Sequence, residues 1–297
     1  MLKVERFLCI IMLDGHIHIR PGNDGRDTLV RRMRQAGMDG GVLLSQPPPC
    51  SASAKTLKTW QERLDNVLEW CRLSRSFYPF FWIDPLEKNA LRQAQAAVEQ
   101  GVSGFKVICD YFEPGDKRAL KTFQAIAEFR RPILFHSGIL WDGKPSSSRY
   151  NHPLLFEALL NVKGLKFALA HISWPWCDEL LAVYGKFLEA QTSNPELDIE
   201  LFIDVTPGTP EIYRREALTK LFKIGYDVEN NVIFGSDCST NKYNFPWVRK
   251  WVQSDRRIMK SLGVSPRVME NVFGGNLRRF LGLAQGKVRK KSLRVGE

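Results

Sequence analysis

The chain has 297 residues, of which 44% are hydrophobic and 25% are charged, a composition typical of a globular protein with a large buried core. Its formal net charge of +11 would suit an anionic ligand. The sequence has no zinc-finger spacing and no recognisable RNA-binding motif. No apolar run approaches the roughly 20 residues of a membrane span. Neither nucleic acid nor a membrane is therefore an expected partner.

Cysteine usage and length indicate the compartment and the domain organisation. The six cysteines are scattered without a C-x-x-C pair, which favours reduced thiols. The N-terminal apolar run is too short for a secretory signal, so a cytoplasmic location is expected. The length fits one large α/β barrel. We predict a single domain over residues 1–285 and a flexible basic tail over 286–297.

Short apolar runs alternate with amphipathic stretches along the chain, which predicts alternating strands and helices. The predicted strands are 7–13, 41–45, 78–83, 104–108, 133–135, 166–170, 201–205 and 232–234. The predicted helices are 28–36, 56–74, 87–99, 119–129, 153–160, 177–188 and 211–223. Eight strands in this alternation favour an α/β fold of the (β/α)₈ TIM-barrel type.

The first predicted strand leads into Asp14-Gly15-His16-Ile17-His18. Histidines at i and i+2 on extended backbone point to the same side, so one divalent metal could bind both imidazoles. A pair of surface histidines at a strand end is the alternative interpretation. The remaining strand ends help to choose between these two.

Polar residues also lie at the carboxyl ends of four later strands, at the face where barrel enzymes have their active sites. These residues are Lys106, His136, His171 and Asp237. Three imidazoles and a carboxylate, from His16, His18, His136 and Asp237, would suit a divalent metal. Zinc is the expected ion, and manganese, iron or cobalt would also fit.

This set of side chains permits metal-assisted chemistry. A bound metal would lower the pKa of a water molecule, and Asp237 could take its proton and pass it to the leaving group. His171 could bind a second metal or orient and protonate the substrate. Lys106 could pair with a substrate carboxylate or with Asp237, or it could be carboxylated and bridge two metals.

The order H-x-H, Lys, His, His, Asp resembles the amidohydrolase superfamily, and within it the branch called amidohydrolase family 2. The likeness runs from Asp14 to the closing segment 271–282. It implies a TIM barrel in which His16, His18 and His136 are metal ligands. By the same resemblance, His171 is the strand-six histidine, and Asp237 is both a ligand and the catalytic acid/base.

Loops after the strands are expected to form the pocket entrance. Arg149, Tyr150, Trp174 and Trp176 are candidate substrate contacts, although the aromatic residues could equally pack at the rim or in a homodimer interface. Cys238 follows Asp237 and is interpreted as a small packing residue, with a reactive thiol as the alternative.

The leading functional hypothesis is a metal-dependent hydrolase that acts on a C–N, ester or lactone bond of a small anionic molecule. A non-oxidative decarboxylase of an aromatic or unsaturated acid, on the same scaffold, is the first alternative. A barrel that binds a ligand without catalysis is the second.

Overall fold

The computed structural model describes residues 11–22, 25–51, 56–72 and 74–283. Within them, nine strands form one parallel sheet in the order β8-β7-β6-β5-β4-β3-β2-β1-β9. The strands are β1 (Leu13–His18), β2 (Gly40–Leu44), β3 (Phe77–Trp82), β4 (Gly104–Val107), β5 (Ile133–Phe135), β6 (Lys166–Leu169), β7 (Glu200–Asp204), β8 (Val232–Ile233) and β9 (Cys238–Ser239).

Helices separate most of these strands, as the sequence predicts. They are α1 (Arg26–Ala36), α2 (Trp60–Cys71), α3 (Ala90–Glu99), α4 (Lys117–Glu128), α5 (Cys177–Ser193), α6 (Glu211–Lys223), α7 (Phe245–Ser261), α8 (Pro266–Glu270) and α9 (Asn276–Phe280). The predicted helix at 153–160 is instead a 3₁₀ helix, Pro153–Asn161. No described helix is long and apolar enough to cross a bilayer.

The first strand differs from its prediction. β1 begins at Leu13 and contains both histidines, whereas the sequence places the strand before them. Period-two alternation explains the difference, because Ile17 packs in the outer core while His16 and His18 line a pocket. Residues 7–10 of the predicted strand and the predicted basic tail lie outside the described residues.

Two apolar cores show that the sheet is curled. The larger core lies between the sheet and the helices. A second core joins inward-facing residues of β1, β2, β3, β5, β6, β7 and β8, such as Val42, Phe80 and Phe202. Helix α9 contributes Leu277 and Phe280 to this inner core, and the Phe280 ring lies 5.0 Å from that of Phe202. The fold is therefore TIM-barrel-like, with strands curled around an interior that side chains fill.

The segment 232–239 contributes both terminal strands of the sheet order, β8 and β9. Its β8 portion pairs with β7, and its β9 portion pairs with β1. Between them, Gly15 N–H donates to the Phe234 carbonyl (2.9 Å) and Asp237 N–H donates to the His16 carbonyl (3.0 Å). This pairing fixes Asp237 beside the two histidines of β1.

Candidate active site

A pocket of about 500 Å³ opens at the carboxyl ends of the strands. This is the face at which barrel enzymes carry their chemistry. Its lining residues come from all the strands except β2, or from the loops that follow those strands: His16, His18, Arg20, Trp82, Lys106, Ile108, His136, Ile139, Leu140, Trp141, Asp142, His171, Trp174, Gly208, Asp237 and Ser239. All six side chains predicted from the strand ends, the four metal ligands together with Lys106 and His171, therefore meet in one cavity.

His16, His18 and Asp237 form the tightest group of potential metal ligands. One donor atom from each lies within 4.8 Å of the other two. Asp237 Oδ1 is 3.3 Å from His18 Nε2 and 3.8 Å from His16 Nε2. Two imidazole nitrogens and a carboxylate oxygen that converge in this way are a donor set suited to zinc.

Asp204, at the end of β7, orients one of these imidazoles. Its Oδ2 lies 2.9 Å from His16 Nδ1, and both side chains are buried. Its Oδ1 accepts a hydrogen bond from Thr206 N–H at 2.6 Å. Carboxylates commonly bind the far ring nitrogen of metal-ligating histidines in this way. Sequence analysis did not identify Asp204, although a carboxylate that ends an apolar strand was a usable signal.

Asp14 holds β1 against the segment that carries Asp237. Its Oδ1 accepts hydrogen bonds from His16 N–H (3.1 Å) and Ser236 N–H (2.9 Å), and its Oδ2 accepts one from Tyr243 Oη–H (2.8 Å). Burial raises the pKa of Asp14 to about 6, against the lowering effect of these hydrogen bonds. Asp14 is thus a structural support that does not line the pocket.

His136 and His171 lie next to the tight group. Their rings are 5.0 Å apart, and the ring of His171 is 5.3 Å from that of His16. His136 Nε2 is 3.2 Å from the Ile139 carbonyl oxygen, and His136 is outside the group of converging ligand atoms. Of the four predicted metal ligands, the structure therefore brings three into one tight group.

Backbone strain marks the position of His171. The residues His171, Ile172 and Ser173 have φ values of 61°, 46° and 52°, a run of left-handed conformations that is costly for residues with a Cβ. His171 is buried, and its Nδ1 has no hydrogen-bond partner among the described residues. An unsatisfied ring nitrogen in a pocket wall is available for a ligand.

Lys106 is the inward residue of β4. Its neighbours Phe105 and Val107 pack in the outer core, so alternation points Lys106 into the pocket. The side chain is 1% exposed, and its Nζ has no hydrogen-bond partner among the described residues. Burial lowers its pKa to about 8. A buried ammonium without a partner is a strong binding group for an anion.

The predicted substrate contacts occupy different places. Trp174 lines the pocket, as do Trp82 and Trp141. Arg149, Tyr150 and Trp176 are missing from the described residues that line it. The Arg149 guanidinium lies 4.5 Å from the Tyr150 ring centre, and the ring of Trp176 packs 4.7 Å from that of His152. These three therefore lie away from the pocket wall in this structure.

Cys238 is a buried residue of β9. Burial raises the pKa of its thiol to about 11, so the thiol stays protonated near neutral pH. The preceding Gly235 permits close packing here, since a Cβ at that position would lie 2.3 Å from Thr206 Oγ1 and 2.6 Å from His16 Cβ.

Comparison with known proteins identifies the family. A family model described as amidohydrolase matches residues 14–283. The chain belongs to the amidohydrolase family. The resemblance predicted from the strand-end residues is thereby confirmed. No curated protein sequence matches the chain significantly.

Solved structures similar to this amidohydrolase include enzymes of several reaction types. A 2,6-dihydroxybenzoate decarboxylase from Rhizobium matches with a TM-score of 0.64 and 14% identity, over 92% of this chain and 98% of that one. A probable 2-pyrone-4,6-dicarboxylic acid hydrolase from Acinetobacter baumannii matches with a TM-score of 0.59 and 12% identity, over 92% of this chain and 99% of that one. A 4-oxalomesaconate hydratase from Rhodopseudomonas palustris matches with a TM-score of 0.61 and 13% identity, over 92% of this chain and 96% of that one. At these identities the likeness shows the fold.

Amidohydrolases typically bind a divalent metal, and the site residues fit one. Burial lowers the pKa of His18 and of His171 to about 4, and it lowers that of His136 well below the ordinary value. Neutral imidazole is the form that binds metal. Burial raises the pKa of Asp237, but the hydrogen bond from His18 and the nearby imidazoles outweigh this effect and hold the pKa well below its usual range.

Proposed function

We propose that this amidohydrolase is a metal-dependent hydrolase that cleaves a C–N, ester or lactone bond of a small anionic substrate. The convergence of donor atoms from His16, His18 and Asp237 within 4.8 Å, at the base of a strand-end pocket, carries the proposal. The pocket volume of about 500 Å³ suits a small molecule. Its cationic side chains, Arg20 and Lys106, favour an anion.

The site residues would bind the metal and transfer protons. His16, His18 and Asp237 would hold the metal, with zinc as the expected ion and manganese, iron or cobalt as alternatives. The bound ion would supply an activated water near neutral pH and would polarise the scissile bond. Asp237, ionised and with 41% of its side chain exposed, would take the proton from the water and transfer it to the leaving group.

The two remaining histidines have supporting roles in this proposal. His136 Nε2 contacts the Ile139 carbonyl and would donate to it, which leaves the lone pair on Nδ1 for an additional metal contact. His171, with its unpartnered Nδ1, would orient the substrate oxygen by a hydrogen bond. A substrate anion would lie against Lys106 and between the rings of Trp82 and Trp174.

We also infer that the sheet is a closed (β/α)₈ barrel. The support is the segment 232–239, which pairs with β7 through its first residues and with β1 through its last. In this interpretation β8 and β9 are two halves of the eighth barrel strand, interrupted where Asp237 takes a left-handed φ of 57°.

Non-oxidative decarboxylation is the second candidate. The observation that favours it is the buried, unpartnered Lys106 ammonium in a pocket with three tryptophans, which would suit the carboxylate and ring of an aromatic acid. One of the similar structures is a 2,6-dihydroxybenzoate decarboxylase. Here Asp237 or His171 would deliver the proton that replaces carbon dioxide.

One substrate screen tests both candidates. The protein, loaded with zinc or manganese, is incubated with lactones, esters and amides of small acids and with hydroxybenzoates. Acid release at constant pH measures hydrolysis, and carbon dioxide release measures decarboxylation. We expect metal-dependent acid release that Asp237→Asn abolishes while most of the metal is retained. Carbon dioxide release instead would establish the decarboxylase, and full activity in Asp237→Asn would remove that residue from the mechanism.

A further inference from the structure

The contact between Asp204 and His16 constrains which ring nitrogen of the histidine carries hydrogen. Asp204 Oδ2 is 2.9 Å from His16 Nδ1, and the two residues are 1% exposed. An ionised carboxylate can only accept hydrogen bonds, so Nδ1 must be the donor. When the ring carries a single hydrogen, which is the form that binds a metal, its lone pair is then on Nε2, which lies 3.8 Å from Asp237 Oδ1.

The carboxylate itself has little freedom to turn. Its second oxygen, Oδ1, accepts the Thr206 N–H at 2.6 Å. The adjacent backbone is fixed by Arg214, which donates to the Val205 carbonyl (2.6 Å) and forms a buried ion pair with Asp255 (2.6 Å). The end of β7 is therefore held from the helix side, and Asp204 presents one oxygen to His16.

We propose that Asp204 is a positioning residue that sets the tautomer of His16, so that Nε2 is the nitrogen available to a metal. This inference rests on the proposed function, because it concerns the same metal site. It adds a residue that lies outside the group of converging donor atoms and outside the described pocket lining, and it makes a prediction about the metal-free protein.

The geometry predicts that, at Asp204, the substitution closer in shape weakens metal binding more than the truncation does. In Asp204→Asn the new side chain would have a single oxygen, and Thr206 N–H, which can only donate, needs that oxygen. The amide NH₂ of the same side chain would then face His16 Nδ1 and force it to accept, which moves the ring hydrogen to Nε2. Asp204→Asn should therefore weaken metal binding more than Asp204→Ala, in which no side chain at position 204 sets the tautomer.

Nuclear magnetic resonance of the metal-free protein tests the tautomer directly. Protein labelled with ¹⁵N-histidine gives long-range ¹H–¹⁵N spectra that distinguish Nδ1–H from Nε2–H rings, and His16→Ala assigns the signal. The spectra are compared at a pH at which the His16 ring carries a single hydrogen, and there we expect Nδ1–H in the wild type and Nε2–H in Asp204→Asn. A wild-type His16 in the Nε2–H form would overturn the proposal without any variant having to fold.

Asp14→Asn is the matched control. It makes the same chemical change on β1, the strand that carries His16, but there the backbone donors of His16 and Ser236 share Oδ1, and the new amide can donate to the Tyr243 hydroxyl. The His16 tautomer should be unchanged in this variant. A switch in both variants would show that loss of buried charge, and not the Asp204 contact, sets the tautomer.

Zinc affinity, measured by competition with a chelator, gives the second readout. We expect Asp204→Asn to bind about 10- to 100-fold more weakly than the wild type, with Asp204→Ala between them. Equal affinities in the wild type and Asp204→Asn would overturn the positioning role. A wild type that binds no zinc would instead count against the proposed function, and the tautomer measurement would still stand.

Discussion

Replacement of Lys106 by methionine should stabilise this protein while it removes activity. The Lys106 side chain is 1% exposed, and its Nζ has no hydrogen-bond partner among the described residues. Methionine has a similar volume and can fill the same space without a charge. Because the exchange breaks no side-chain hydrogen bond among the described residues, the main effect on folding is the removal of a poorly solvated ammonium.

The size of the effect follows from the lowered pKa. Burial lowers the pKa of Lys106 from 10.5 to about 8. At 1.36 kcal/mol per pKa unit this difference corresponds to about 3 kcal/mol. Below pH 8 the Lys106 amine is protonated in both the folded and the unfolded chain, so the buried ammonium destabilises the folded state by this full amount. Between pH 8 and 10.5 Lys106 loses its proton in the folded state before it does so in the unfolded chain, and the destabilisation disappears as the pH rises.

Urea unfolding of the metal-free proteins across this pH range measures the effect. At pH 7 the free energy of unfolding of Lys106→Met should exceed that of the wild type by up to about 3 kcal/mol. The difference should shrink above pH 8 and vanish near pH 10.5. An advantage that does not change with pH, or a loss of stability at pH 7, would refute the reasoning. A loss would favour an anionic, carboxylated Lys106 that its surroundings stabilise.

Two further substitutions probe groups around the site. Cys238→Ala should change turnover little, because burial raises the pKa of the thiol to about 11 and keeps it protonated, and a large loss in kcat would assign the thiol a chemical role. Arg214→Met should lower the free energy of unfolding by about 3–5 kcal/mol, because it leaves the buried Asp255 carboxylate unpaired. If the free energies of unfolding of the wild type and Arg214→Met, measured with denaturant, differ by less than about 1 kcal/mol, Asp255 is protonated or paired with another residue in the variant.

Much of the fold was predictable because local patterns repeat along the chain. The strand Ile133–Phe135 and the helix Glu211–Lys223 have the predicted bounds. Strand β1 was misplaced because two of its inward residues, His16 and His18, are polar, so the apolar run before them gave the stronger signal. The 3₁₀ helix at Pro153–Asn161 has an apolar pattern that does not separate it from an α-helix.

The site was predictable where residues follow strands and unpredictable where contacts depend on orientation. Lys106 and His171 were placed in the pocket correctly, because carboxyl ends of parallel strands converge. The support of His16 by Asp204 depends on a contact between residues 188 positions apart, which no local pattern records. The direction of loop side chains is equally non-local, and Trp176 packs on His152 while Trp174 lines the pocket.

Metal content tests the central claim most directly. Purified wild type and the His16→Ala/His18→Ala double variant would be compared by plasma mass spectrometry, before and after reconstitution with zinc or manganese. The convergent donors of His16, His18 and Asp237 predict about one ion per wild-type chain and its loss in the variant. A wild type that takes up no metal, or a variant that keeps the full complement, would contradict the proposal that these residues form the metal centre.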